Sequence, residues 1–388
     1  MSYINQAAEM VDQNIQVDAI YTDFSNAFDR VNHSILIQKL RAYGVRNPLL
    51  SWCRSYLNNR KSRVVLDGCA SKQYQIISGV PQGSNLGPLF FNIFINDICQ
   101  YIKHSKIFLF ADDLKLLHLI KTKQDADLLQ SDVDAIVKWC QHNHMELNAS
   151  KCFHIKLTRK KQILETTYSV AGIALREVSE IRDLGVTVDS KLTFSNHVNN
   201  IVSSATSTLG FVLRCSRELK NPVTLISLYN YLVRCKLEYC SAVWSPHHKN
   251  HCQRIESVQK RFMKHLKYKM KLPKSLSYDL LLKKFGLTPL EDRRTLLNLL
   301  FLYKLFNHEI DSQYLVSQLE LYVPNNIPRR PKQYFNLKFY RTKLGMNSPI
   351  PTLLCQYNKI ATTIDDLDVA YDAFGSFRRK ICKCLQGS

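Results

Sequence analysis

Apolar positions in the first half of the chain switch between alternating and helical periods; from about residue 195 they keep a helical period. VDAIYTDF (17–24) is apolar and partly β-branched, the pattern of a strand. In NHSILIQKLRAYGV (32–45), Ile35, Leu36, Leu40 and Tyr43 recur at helical spacing, and Gly44 supplies a C-terminal stop. NPLLSWCRSYLNN predicts a second helix, with Asn47 as its cap and Pro48 in its first turn. KSRVVLDG and SKQYQIISG read as two strands around a turn at Gly68. GPLFFNIFINDICQYI is apolar nearly all round, which predicts a buried helix. KIFLFADDLKLLHLI (106–120) reads as two strands joined tightly at Asp112 and Asp113. DADLLQSDVDAIVKWCQHN (125–143) gathers Leu128, Leu129, Val133, Ile136, Val137 and Cys140 on one side of a helix. Short strands follow near KCFHIKLT and IRDLGVTVD.

The change of texture places one domain boundary near residue 192 and a softer one near residue 275. Three regions follow: 1–192, 193–275 and 276–388. No internal repeat or low-complexity tract interrupts them. With 388 residues and 45% hydrophobic positions, the chain can bury a sizeable core. The most apolar runs, LFFNIFINDI and LLNLLFLYKLF, are broken by polar residues well short of a membrane span. MSYINQAAEM has neither a basic nor an apolar leader segment. The expectation is an intracellular chain, in nucleus, cytoplasm or both, whose 12 cysteines are reduced thiols.

Charge sharpens this picture. The chain carries 53 Lys and Arg against 32 Asp and Glu, a formal +21. A surplus of that size calls for a polyanionic partner, nucleic acid first and an anionic membrane surface second. RRPK (329–332) and RRKICK (378–383) are candidates for nuclear import, against solvated surface or nucleic-acid contacts.

The adjacent acids Asp112 and Asp113 pose a chemical question. Two carboxylates about 4 Å apart repel by roughly 4 kcal/mol at an effective dielectric of 20. A divalent cation relieves that repulsion, but neighbours on a strand point to opposite faces, so another strand must bring a further carboxylate. Asp23, at the end of the apolar strand, is the best placed. Oxygen ligands in an open site suit Mg²⁺. Two such ions, about 3.5–4 Å apart, can clamp a phosphoryl displacement. Asp29 is either a third ligand or, preferably, a helix-start acid. ISGVPQGSNLGP (77–88) is a Gly/Pro-shaped loop where Gln82 and Ser84 offer hydrogen bonds.

These segments, in order, resemble the reverse transcriptase of non-LTR, LINE-type retrotransposons, the jockey-like elements of insects in particular. YTDFSNAFDRVNH is similar to the first catalytic motif, SGVPQGSNLGPLFFNIFINDI to the template-primer and nucleotide motif, and FADDLKLL to the central catalytic turn. LNASKCFHIKL is similar to the lysine-bearing motif, IRDLGVTVDSKLTF to the primer-grip hairpin, and LYNYLVRCKLEYCSAVWSP with IESVQKRFMK to thumb and post-thumb helices. The resemblance covers roughly residues 15–290. It implies an α+β fold: a right-hand polymerase palm, an antiparallel sheet backed by helices, at 1–192 with vestigial fingers. A helical thumb would follow at 193–275 and a mostly helical, basic extension at 276–388. It implies RNA-directed DNA polymerase activity with an RNA template, a DNA primer, dNTPs and two Mg²⁺, with Mn²⁺ as a substitute. Asp23, Asp112 and Asp113 would be the catalytic metal ligands, and Phe24 would lend a backbone carbonyl. Phe28 would be a steric gate against a ribose 2′-OH, Gln82 and Gly83 would line the nucleotide, and Lys151 would serve the departing pyrophosphate.

The match has gaps. Such enzymes carry basic fingers and an endonuclease before the first motif, whereas the residues before Asp23 include no Lys or Arg. The expectation is a truncated element product, with a partner in trans as one source of those parts. The alternative is a catalytically inert, nucleic-acid-binding remnant.

Two further constellations stand out. Cys235, Cys240, His247, His248, His251 and Cys252 crowd one stretch, without the tight pair of a zinc knuckle. In RIESVQKRFMKHLKYKMK (254–271), Ile255, Val258, Phe262 and Leu266 form an apolar stripe, and Lys260, Lys264, Lys267 and Lys271 a basic one. That predicts a helix packed on one side with phosphates on the other, against a merely solvated lysine face.

Overall fold

The computed structural model describes residues 1–323, 333–364 and 366–387. RRPK and the prolines at 324, 328 and 331 lie outside the described residues. The chain opens with helix α1 (Ser2–Asp12) and runs into strand β1 (Gln16–Thr22), the strand expected from its apolar pattern. Residues 14–179 form one unit, and 1–13 with 180–388 the other.

In the first unit, α2 (His33–Ala42) is capped by Asn32, whose side chain accepts the Ile35 N–H at 3.1 Å. It stops near Gly44, whose φ of +91° suits a residue without a Cβ. α3 (Leu49–Leu57) has Pro48, not Asn47, at its cap position; Asn47 accepts from the Ser51 hydroxyl instead. The two strands expected around Gly68 are four short pieces: β2 (Lys61–Ser62), β3 (Val65–Leu66), β4 (Cys69–Ala70) and β5 (Tyr74–Gln75). Asp67 and Gly68 both take positive φ at the turn, as a type I′ hairpin requires. The helix α4 (Leu86–Ile95) buries Phe90, Phe91 and Phe94, and a 3₁₀ turn extends it to Tyr101.

Strands β6 (Lys106–Phe110) and β7 (Asp113–Ile120) form the tight hairpin read from the sequence. The helix α5 (Lys123–Asn143) starts two residues before the expected segment, because Thr122 and Asp125 form a reciprocal capping box. β8 (Phe153–Leu157), the small hairpin β9 (Ser169–Val170) and β10 (Ile173–Ala174), and β11 (Arg176–Glu177) complete the unit.

The main sheet has the order β11-β8-β1-β7-β6, antiparallel throughout except where β11 joins β8. β1 is buried along its whole length because it has partners on both sides. Ile20, Leu114 and Leu116 join Phe91, Phe94, Ile136 and Trp139 in one core, so helices back the sheet. Asp18, also fully buried in β1, is satisfied by Gln16 at 2.9 Å, Thr166 at 2.6 Å and Tyr168 at 2.7 Å.

The second unit begins with the hairpin β12 (Glu180–Asp183) and β13 (Val186–Asp189). Helices follow: α6 (Ser195–Cys215), α7 (Pro222–Leu228), α8 (Cys235–Glu238), α9 (Ser241–Trp244), α10 (Lys249–Lys269), α11 (Tyr278–Phe285) and α12 (Leu290–Phe306). A π-helical segment, Tyr229–Arg234, joins α7 to α8. Beyond them lie α13 (Gln313–Ser317), α14 (Lys343–Met346), α15 (Pro349–Ala361) and α16 (Phe374–Gly387). Leu299, Leu302, Phe335, Leu353, Tyr357, Phe377 and Ile381 build their core.

By compactness the units part at 179/180, and α1 goes with the C-terminal helices. Asp12 at the end of α1 accepts the Arg341 and Thr342 amides at 3.0 and 2.8 Å, and Asn5 accepts the Ile350 amide at 3.1 Å. RRKICK lies within α16, where Ile381 is buried and Lys380 pairs with Asp372 at 2.7 Å, so part of that basic run is folded inward.

Candidate active site

β1 and β7 pair in antiparallel register, Thr22 opposite Leu114. That pair is the last of the ladder; Asp23 follows Thr22 and Asp113 precedes Leu114, so the two acids lie at the same end of the strand pair. Asp113 and every second residue of β7 share one side of the sheet. Asp112 sits beside them in the two-residue turn, opened by Ala111 at φ +51°. On the same face, two residues along, lies Lys115, which the sequence reading passed over. It is buried, with its ammonium 5.7 Å from the centre of the Tyr21 ring.

Past β1 the backbone changes partner. Asn148 donates to the Asp23 carbonyl and Ser25 to the Glu146 carbonyl, both at 2.8 Å. These bonds flank Phe24, which pairs with Leu147 without using its own carbonyl, so that oxygen points away from residues 146–148. The pairing also delivers Lys151, whose ammonium stands 3.5 Å from the Asp23 carboxylate. Cys152, buried behind Asp23, accepts its amide at 3.5 Å. Burial pushes the Cys152 thiol up, and pushes the neighbouring Cys140 thiol up to about 12, so both stay neutral near pH 7.

Three carboxylates and a free-facing carbonyl are the hard oxygen donors that suit magnesium. Among the described residues, no three His, Cys, Asp or Glu side chains are gathered closely enough to hold an ion as they stand. At the acids, the side chains would have to turn toward an ion. At Cys235, Cys240, His247, His248, His251 and Cys252 the backbone assembles no ligand set either. There, Cys235 and Cys252 donate to carbonyls instead, and none of the twelve cysteines is in a disulfide.

The Gly/Pro loop packs on the segment after Asp23. Val80 donates to the Phe28 carbonyl at 2.9 Å and Gly79 to the Val31 carbonyl at 2.8 Å. Gly79 has φ +82°, and a Cβ there would stand 2.7 Å from the Asp29 backbone. Gln82 is exposed and donates to the Asp29 carboxylate at 3.0 Å; Gly83 is open to solvent. Asp29 lies in the first turn of a 3₁₀ helix, Ala27–Asp29, where its carboxylate also holds Gln82; Asn32 caps the next helix, α2. Phe28 is half-buried and stacks on Phe91, with ring centres 4.4 Å apart. His33 and Arg60, both missed in sequence, bond the Gly79 carbonyl at 2.8 and 3.5 Å.

In the second unit the four lysines expected as one stripe separate. Ile255, Val258, Phe262 and Leu266 are buried, but so are Gln259 and Met263, which widens the inner sector of α10. Lys267 falls at its edge and is half-buried, whereas Lys260 is exposed. Lys267 donates to the Lys274 and Leu276 carbonyls, both at 2.7 Å, and Lys260 lies over the Tyr278 ring at 5.3 Å. Exposed on α10 are Arg254, Ser257, Lys260, Arg261, Lys264 and Tyr268, with Tyr268 84% exposed, and Lys271 is exposed just past its end.

Residues 8–188 match the reverse transcriptase (RNA-dependent DNA polymerase) family, so the chain carries a reverse transcriptase domain. Its curated relatives are of the non-LTR kind. It is 26% identical to the probable RNA-directed DNA polymerase from transposon X-element of Drosophila melanogaster, over 66% of this chain and 29% of that one. It is 27% identical to the RNA-directed DNA polymerase from mobile element jockey of Drosophila funebris, over 67% of this chain and 29% of that one. The chain thus spans less than a third of the length of these relatives. Among solved structures, a telomerase from Candida tropicalis bound to a fragment of telomeric RNA aligns over 73% of this chain and 51% of its own. That alignment has 10% identity and a TM-score of 0.37. Among the described residues no helix is long and apolar enough to cross a membrane.

Proposed function

We propose that this chain copies RNA into DNA, joining dNTPs to the 3′-OH of a DNA primer on an RNA template. The observation that supports the reading is the β1–β7 register, whose last pair, Thr22 and Leu114, lies next to Asp23 on one strand and Asp113 on the other. The unit of residues 14–179 would be the palm, and helices α6–α10 the thumb. Asp23, Asp112 and Asp113, with the Phe24 carbonyl, would hold two Mg²⁺ or Mn²⁺. When bound, such ions would lower the pKa of the primer 3′-OH and stabilise the leaving pyrophosphate. Lys151, already beside Asp23, places a cation where phosphate charge builds up. Gln82 and Gly83 would face the incoming nucleotide. Phe28, fixed against Phe91, is a rigid ring able to exclude a ribose 2′-OH. The exposed row on α10 would meet the phosphates of the template and primer.

Primer extension on an RNA template with dNTPs and Mg²⁺ tests the proposal. Extension by the wild type and its loss in Asp112→Asn, with RNA binding retained, is the expected outcome. Phe28→Ala should extend with ribonucleotides more readily than the wild type. A second reading, binding without catalysis, is favoured by one observation: the acids are not gathered around a common point. RNA binding by a wild type that extends nothing would establish it.

A further inference from the structure

The hairpin of β2 to β5 stands in water on both faces. Val64, Val65, Leu66, Tyr74 and Ile77 are 54–82% exposed, and from Arg63 to Gln75 every residue is exposed. A two-stranded ribbon without a packed face is marginal by itself. Its charge is one-sided. Arg60, Lys61, Arg63 and Lys72 are basic, and the one acid, Asp67, is at the far turn.

The register adds a second observation. Lys61 pairs with Gln75 and Ser62 with Tyr74, but further out Val65 pairs with Ala70 and Leu66 with Cys69. The offset shifts by one between these pairs, so residues 63–64 face 71–73 and the ribbon carries a bulge. Ser71 pairs with Val64, which leaves Arg63 across from Lys72 and Gln73. Like charges facing each other across a ribbon are destabilising, unless an anion lies over them. At its base the ribbon is tied to the nucleotide loop. Ile76 donates to the Arg60 carbonyl at 2.8 Å, and Arg60 reaches the Gly79 carbonyl, three residues before Gln82.

We propose that this ribbon binds the unpaired stretch of the RNA template, its cations on the phosphates and Tyr74 stacked on a base. The inference rests on the polymerase reading for the identity of the strand. Four cations against one acid favour a polyanion over a protein partner. Exposed apolar and aromatic side chains among the cations favour a single strand, whose bases offer their faces, over a duplex, whose bases are stacked.

The test is fluorescence anisotropy with the full chain and a fluorescein-labelled single-stranded oligoribonucleotide, alone or annealed to complementary DNA. The triple variant Lys61→Gln, Arg63→Gln, Lys72→Gln should bind the single strand about tenfold or more weakly. Its salt slope should be shallower by about 2, at roughly 0.7 per cation on single strands. Tyr74→Ala should weaken single-strand binding about fivefold or more. Affinity for the hybrid duplex should change far less, and circular dichroism should match the wild type, because these side chains are exposed. Unchanged single-strand affinity, or equal losses on strand and duplex, would overturn the proposal. Catalysis is not read out. A chain that binds through the ribbon yet extends no primer overturns the polymerase reading alone; one that extends primers while the variants bind like wild type overturns the ribbon alone.

Discussion

The acid corner of the first unit and the basic helix of the second are built on different principles. At the corner, backbone pairing decides which residues meet. Once β1 and β7 pair at Thr22 and Leu114, Asp23 and Asp113 are carried to the same end of the strand pair. On α10 the backbone only lays out positions 100° apart, and side-chain packing decides which of them reach water. Two of the four lysines were drawn to a carbonyl pair and a tyrosine ring because the buried sector is wider than its four aliphatic and aromatic markers. Functional residues fixed by register are therefore harder to displace than those fixed by a helical face.

The contrast can be broken at the corner first. Asp23→Asn should reduce extension at least about 10²–10³-fold, the scale of losing one placed electrostatic contact. The fold should be intact, because the carboxylate is partly exposed; single-turnover kinetics beside thermal unfolding would show it. The next effect belongs to the second unit. Burial, with Arg182 nearby, pushes the His197 imidazole down to about 4. Between that value and the ordinary 6.5 the folded chain binds fewer protons there than the unfolded chain does. The contribution, up to about 3 kcal/mol, is complete above pH 6.5 and is lost as pH falls toward 4. Urea unfolding across that window should show the slope, and His197→Leu should flatten it.

Two glycines of the nucleotide loop sharpen the comparison. A Cβ on Gly87 would stand 2.5 Å from the Pro81 carbonyl oxygen, so Gly87→Ala should cost about 2–3 kcal/mol of stability. Gly83 has φ +80° but open space, so Gly83→Ala should cost only about 1–2 kcal/mol. The smallest effect separates the lysines of α10. Lys264→Ala should lower the salt slope on duplex by about 0.9. Lys267→Ala should leave the slope unchanged and cost about 1 kcal/mol of stability, because its ammonium closes the 274–276 turn.

Much of the first unit was legible in the chain. Apolar runs, β-branched in part, marked β1, β6 and β7; helical spacing ended by Gly44 marked α2, and a one-sided apolar face marked α5. The Asp112–Asp113 turn could be read because two acids inside an apolar run have few physical excuses. The membership of α1 could not, because Asp12 finds its partners at Arg341 and Thr342 and no local pattern encodes them. Asp18 was passed over in the same way: its partners Thr166 and Tyr168 lie equally far outside any window. Asn47 was misplaced for a smaller reason: neighbouring residues at a helix start compete, and only geometry names the cap.

The most direct test of the shared acid site is Mn²⁺ binding followed by electron paramagnetic resonance. Wild-type chain should remove free Mn²⁺ signal on titration, and Asp23→Asn and Asp112→Asn should each weaken that binding, although the two positions are remote in sequence. Equal binding by the wild type and both variants would contradict the account.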